Sequence, residues 1–213
     1  MTAISDLVPD VRVEIPEIPS FVAERQLLRA ARELCEEARV WRVDISITPT
    51  AATTDLTSLL PTTTELVDII SIKNTDGGAP VDPKTQAWLD INTSDWRNDT
   101  NSAAKYYMLS SNNTIQLFPT PPATSGASYY VRLAVKPLLT ATTIDDLVAN
   151  KHDELIIHGA LAKLFLQPRK VWSDPVLGQY HLSEFMAGVP TARAKAADEY
   201  QTGVARTVKY GGY

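Results

Sequence analysis

The side chains best suited to acid–base, nucleophilic or metal chemistry in this sequence are three histidines, one cysteine and two acidic pairs. His152, His158 and His181 contain no i, i+4 pair, so no helical turn offers the two-imidazole face on which many zinc sites are built. His158 and His181 fall at apolar helical positions, the latter four residues from both Leu177 and Phe185, and read as hydrogen-bonded structural side chains. Cys35 has no disulfide partner and occupies a position where a small buried apolar residue serves. Asp145-Asp146 and Glu36-Glu37 suit solvated helix faces or helix N-termini better than general acid catalysis. No P-loop, dinucleotide-binding, nucleophile-elbow, HExxH, CxxC or calcium-loop spacing occurs. The expectation is therefore no catalytic, cofactor-binding or metal-ligating residue and no enzyme.

Other local matches carry no chemistry. His152-Asp153-Glu154-Leu155 spells an endoplasmic-reticulum retention signal that is read only at a C-terminus, so it reads here as a helix start with acids in its first turn. Asn92, Asn98 and Asn112 fit the glycosylation pattern, which Thr- and Asn-rich turns produce by chance. Trp88, Trp96, Tyr106, Tyr107, Tyr129 and Tyr130 could stack sugars or bases, but in a β-rich block they fit a small core or a subunit interface better.

The elements that must position these residues follow from period. Residues 20–39 place Leu27, Leu28, Ala31, Leu34, Cys35 and Ala38 at helical spacing, with Ser20 available as a cap. Trp41, Val43, Ile45 and Ile47 then alternate with polar residues, which predicts a strand with one buried face. Residues 48–64 hold eight threonines and two prolines and suit a loop or extended segment. A strand over 66–73 leads to a tight turn at Thr75-Asp76-Gly77-Gly78, and the piece after it, with Pro80 and Pro83, reads as an edge or irregular strand. A hairpin over 105–118 and a strand over 128–135 complete a β-rich block. Helical period returns over 144–166, over 175–188 behind Asp174-Pro175, and over 190–200 behind Pro190. The fold class expected is α+β: a helical bundle, its N-terminal helix packed with C-terminal helices, carrying a β-rich insertion. Residues 1–40 and 138–202 form the helical domain, 41–137 the insertion and 203–213 an extended tail.

Hydrophobic residues at 44% and charged residues at 21% are ordinary globular usage. No eighteen-residue apolar run and no secretory leader pattern occur, so a membrane span and secretion are not expected. Net charge is −5. Residues 1–150 carry 12 basic against 19 acidic side chains and residues 151–213 carry 8 against 6, so the excess is N-terminal. No basic face suited to gripping nucleic acid is evident, whereas a surface past which DNA slides is compatible with this balance.

The helix RQLLRAARELCEEARVWR, the hairpin YYMLSSNNTIQLFPTPP, the strand YYVRLAVKP and the segment ELIIHGALAKLFLQPRKVWSDPVLGQYHLSEFMAGVPTARAKA, in this order, resemble the head-to-tail adaptor (connector) proteins of tailed bacteriophages. The likeness covers roughly residues 20–200. It implies a structural virion protein of the neck, at the head–tail interface, made in the host cytoplasm and assembled as a homo-oligomeric ring, usually of twelve copies, beneath the portal. Its partners would be the portal protein and tail or nozzle proteins; DNA would pass through the lumen without specific binding, with no cofactor and no membrane. Within this frame Trp41, Trp172, Tyr180 and Phe185 are expected as packing anchors of the helix layer. The tail, through Arg206, Lys209, Tyr210 and Tyr213, is expected to dock on the portal or a neighbour. Part of the acidic excess is expected to face the channel. The rival expectation is a carbohydrate-binding or tail-fibre-type β module.

Overall fold

A computed structural model describes residues 1–49, 53–93, 95–101, 103–111 and 113–200. In chain order its elements are β1 (Thr2–Ala3), α1 (Val8–Glu14), α2 (Ser20–Ala38), β2 (Arg42–Ile47), β3 (Thr53–Asp55), β4 (Thr64–Asn74), β5 (Pro80–Pro83), α3 (Gln86–Asn92), β6 (Tyr106–Ser111), β7 (Thr114–Phe118), β8 (Tyr129–Pro137), β9 (Thr143–Ile144), α4 (Asp146–Phe165) and α5 (Pro175–Ala197). The class is mixed α+β, with five α-helices and a seven-stranded sheet among the described residues. The chain divides into two units, Met1–Val40 with the chain from Thr142 onward, and Trp41–Ala141. No helix of the described residues is long and apolar enough to cross a membrane.

In the first unit, α2 buries the apolar stripe that its 3.6-residue period defines, Ala23, Leu27, Ala30, Ala31, Leu34, Cys35 and Ala38, and leaves Arg25, Arg29 and Glu36 exposed. Ser20 does not cap it: Pro19 is the N-cap, and the Ser20 hydroxyl instead accepts from Arg12 at 2.8 Å. The helix ends at Arg39 in the left-handed region, φ 53°. Two short pieces have no clear signal in the sequence. β1 pairs antiparallel with β9 through only two residues each, and α1 is seven residues long.

Asp145 caps α4 by accepting from the backbone N–H groups of Leu147 (2.9 Å) and Val148 (3.4 Å), and Asp174 caps α5 in the same way, with Pro175 at the first turn. The expected break at Pro190 does not occur. α5 runs through it, because the flanking Val189 and Ala192 are buried and their packing offsets the ~3 kcal/mol that an internal proline costs. The helix start read at His152 is also corrected: α4 begins six residues earlier, at Asp146, and His152 marks a kink inside it (φ −137°, ψ 20°).

The three helices approach closely through glycine. A Cβ at Gly159 of α4 would lie 2.8 Å from the Phe185 ring of α5 and 3.0 Å from the Ala30 Cβ of α2. Nearby, the Arg193 guanidinium of α5 donates to the Glu37 backbone carbonyl in the last turn of α2. Residues 30 and 37 of α2 thus match residues 185 and 193 of α5, so these two helices run in the same direction.

In the second unit the strand order is β2-β8-β4-β5-β6-β7-β3. β8 is buried through Tyr129, Val131, Leu133, Ala134 and Val135, and it pairs antiparallel with β2 on one side and β4 on the other. The β4–β8 register shifts between Leu66 and Asp68 and again between Ile69 and Ser71. β5 is not an edge: it lies between β4 and β6, though it pairs only two residues with each, which two prolines lacking N–H donors can tolerate. β5 and β6 are parallel, so a crossover must join them, and α3 supplies it. Leu89 of that crossover packs with Trp96 and Phe118, with Trp88, Tyr106 and Met108 against them.

Candidate interaction surface

The α4–α5 pair brings two histidines together that sequence separation keeps 23 residues apart. The Nδ1 atoms of His158 and His181 are 2.8 Å apart, so one ring donates and the other accepts. Phe165 stacks on His181 with centroids 5.6 Å apart and planes at 17°, and the edge of Tyr180 meets both imidazoles. Burial pushes the His181 pKa down and the charge on His158 adds to this, while Glu14 and Glu184 oppose it. His152, buried at the α4 kink, pairs through Nε2 with the Tyr200 hydroxyl at 3.0 Å, and that hydroxyl also reaches the Val40 carbonyl at 3.4 Å. Burial lowers the His152 pKa too, aided by Lys195 and Lys151 and opposed by Asp153.

Along the same pair of helices runs a groove of about 290 Å3, lined among others by Lys151, Glu154, His158, Glu184, Thr191 and Lys195. Its charges are mixed: Glu184 acts on His181, whereas Lys151 and Lys195, opposed by Asp153, act on His152. Glu154 and His158 lie on a different face of α4 from Gly159 and Lys163, which meet α2 at Ala30 and Glu33. The outward face of α2 carries Arg25, Arg29 and Glu36, all exposed, with Arg32 half-buried beside them.

The expected anchors fall in different environments. Phe185 is 1% exposed and sits at the α2–α4–α5 contact; Trp41 is 4% exposed and belongs to the β unit. Trp172 is half-buried in the α4–α5 turn, its Nε1 donor enclosed without a partner among the described residues and the Lys170 ammonium 5.9 Å from its ring. Tyr180 is 54% exposed, and with Val171 (92%) and Val176 (79%) it leaves the start of α5 apolar on the outside. Arg206, Lys209, Tyr210 and Tyr213 lie outside the described residues.

In the β unit the aromatic rings are engaged with one another and with cations. Trp96 meets Phe118 edge-on at 4.6 Å, donates Nε1–H to Asp90 at 2.8 Å and has the Arg97 guanidinium 4.2 Å from its ring. Trp88 meets Tyr106 at 5.3 Å and has the Lys84 ammonium 4.7 Å from its ring. Tyr129 is fully buried, and its hydroxyl accepts from the Ala104 N–H at 2.8 Å. Tyr107 is buried and Tyr130 exposed.

Among the described residues no group of three His, Cys, Asp or Glu side chains is placed to hold a metal ion. What the arrangement offers is surface: a groove of mixed charge, a charged helix stripe and an exposed apolar helix start. Reading each histidine singly misses the histidine pair; the available signal is the Asp174-Pro175 helix start, which turns α5 back along α4. A family model described as SU10 adaptor protein matches residues 1–207 of the chain. No curated protein matches it.

Proposed function

This chain belongs to the SU10 adaptor protein family, a family of phage head-to-tail adaptors, and we propose that it acts as a ring, of twelve copies, seated beneath the portal. In this reading the ring extends the DNA channel and docks the tail, and the work is done by binding alone, without catalysis. The observation that carries the reading is the family match, which spans almost the entire chain.

The finer assignments belong to the same proposal. The helical domain, residues 1–40 and 138–202, forms a bundle that matches the portal's rotational symmetry, with Trp172, Tyr180 and Phe185 as packing anchors, while Trp41 anchors within the β unit. The insertion, residues 41–137, presents the tail-side surface. The extended tail, residues 203–213, docks through Arg206, Lys209, Tyr210 and Tyr213 on the portal or a neighbouring copy. Part of the acidic excess of residues 1–150 lines the lumen, where like charge keeps DNA from adhering. A carbohydrate-binding module is less well supported, because the rings of Trp88 and Trp96 already hold aromatic and cationic neighbours in place of a sugar.

Mass photometry of the chain, alone and mixed with the portal protein of the same genome, tests this. The expected result is a ring-sized mass or a portal complex with about one copy per portal subunit. A stable monomer indifferent to the portal overturns it. A chain truncated after Thr202 should lose portal binding or ring closure; unchanged assembly removes the tail's assigned role.

A further inference from the structure

We propose that the outer stripe of α2 in one copy of this chain docks into the α4–α5 groove of the next copy, so that each subunit uses two unlike faces. The proposal rests on the ring reading above and names the contact that would close the ring.

The two faces match in charge and in length. On α2, Arg25 and Arg29 lie near the start of the stripe and Glu36 near its end, all exposed. In the groove, Glu184 lies towards His181, Glu154 lies one turn before His158 on α4, and Lys195 and Lys151, opposed there by Asp153, lie towards His152. Arg25 and Glu36 are eleven residues apart, and so are Glu184 and Lys195. Eleven residues are close to three helical turns, so each pair shares one face of its helix and spans about 16 Å. Laid side by side in the same direction, α2 and α5 put arginine opposite glutamate at one end and glutamate opposite lysine at the other.

Cyclic symmetry supplies that direction. Within one copy α2 already runs parallel to α5, as the matches of Ala30 to Phe185 and of Glu37 to Arg193 show. Rotation about an axis along the helices keeps every helix direction, so α2 of one copy also runs parallel to α5 of the next. The two faces do not meet within a copy, because α2 packs its opposite side on α4 and α5, and Glu154 and His158 point away from the Gly159 and Lys163 face that receives it. The groove is concave and the stripe convex. A contact built on exposed opposite charges sets register and partner choice more than raw affinity, and it weakens with salt.

The test is a charge swap read by mass photometry and sedimentation velocity on the full chain. One variant carries Arg25→Glu and Arg29→Glu; the other carries Glu154→Lys and Glu184→Lys. Each alone should associate about tenfold or more weakly than the unmutated chain. An equimolar mixture should recover assembly, because in an alternating ring every reversed stripe meets a reversed groove and every native stripe a native groove. That recovery also excludes misfolding as the cause of either loss. Assembly by each variant at the unmutated level overturns the docking, as does a mixture that stays dissociated. If the unmutated chain assembles on the portal and neither reversal matters, the docking falls and the adaptor reading stands. If it self-assembles to a mass that is not ring-sized, the swap behaves as expected and the portal is ignored, the docking stands and the adaptor reading falls. A chain that assembles under neither condition overturns both.

Discussion

His158 and His181 meet Nδ1 to Nδ1 at 2.8 Å across the packing of α4 on α5, with Phe165 stacked on the second ring. One proton suffices for that hydrogen bond. A proton on the accepting Nδ1 as well removes the acceptor, and full protonation of both rings puts two cations side by side under an aromatic cover.

This gives a sign to the pH dependence of stability. Burial holds the His181 pKa below its ordinary value of 6.5, so folding favours the neutral ring. The contribution is complete above the ordinary histidine range and is lost as pH falls through it towards the lowered value. Buried His152 acts in the same direction. Thermal unfolding followed from about pH 7 to about pH 5 should show a falling midpoint, and His181→Gln should make the fall shallower without abolishing it. A midpoint independent of pH in the unmutated chain would refute this account.

Gly159 is a site where improved helix propensity should fail to stabilise. Alanine gains about 1 kcal/mol over glycine in a helix interior, but a Cβ here meets Phe185 at 2.8 Å and Ala30 at 3.0 Å. Overpacking costs about 1–3 kcal/mol, so Gly159→Ala should be net destabilising, by about 1 kcal/mol in chemical denaturation. Phe185→Ala, at the same contact but in the opposite sense, should cost about 3–5 kcal/mol.

Asp145 holds the start of α4 through two backbone donors, Leu147 and Val148. Asp145→Ala should lower stability by about 1 kcal/mol, and Asp145→Ser should restore most of it. Equal losses in both variants would show that the cap is not the source.

Thr63 is a β-branched residue at φ 71°, and its carbonyl accepts from the Leu138 N–H at 2.7 Å. Glycine would relieve about 1–2 kcal/mol of left-handed strain while adding about 0.5–1 kcal/mol of unfolded-state entropy. Thr63→Gly should therefore be neutral to stabilising by about 1 kcal/mol, measured by equilibrium unfolding. A clear loss would mean that the Thr63 side chain holds this turn.

The family resemblance carried by the ordered segments from residue 20 to 200 is legible in the amino-acid order itself, and so are the positions of α2, the β6–β7 hairpin, β8 and the helix start at Asp174. These are local: they depend on a 3.6- or 2-residue period, or on a cap and a proline within one turn. The two-residue β1–β9 pairing is not legible there, because it joins residues about 140 positions apart with no pattern in either piece. The continuity of α5 through Pro190 runs against the local signal, because burial of Val189 and Ala192 is a tertiary fact that outweighs a local breaker.

For the interaction surface the division is the same. The residue types, an arginine-bearing helix and apolar-flanked histidines, stand in the sequence by themselves. Only the tertiary structure decided that His158 faces His181, that Gly159 admits both Ala30 and Phe185, and that α2 and α5 run in the same direction. Period selects which face of a helix is buried, but the partner face and its register follow from how side chains interdigitate between helices, which no single helix encodes.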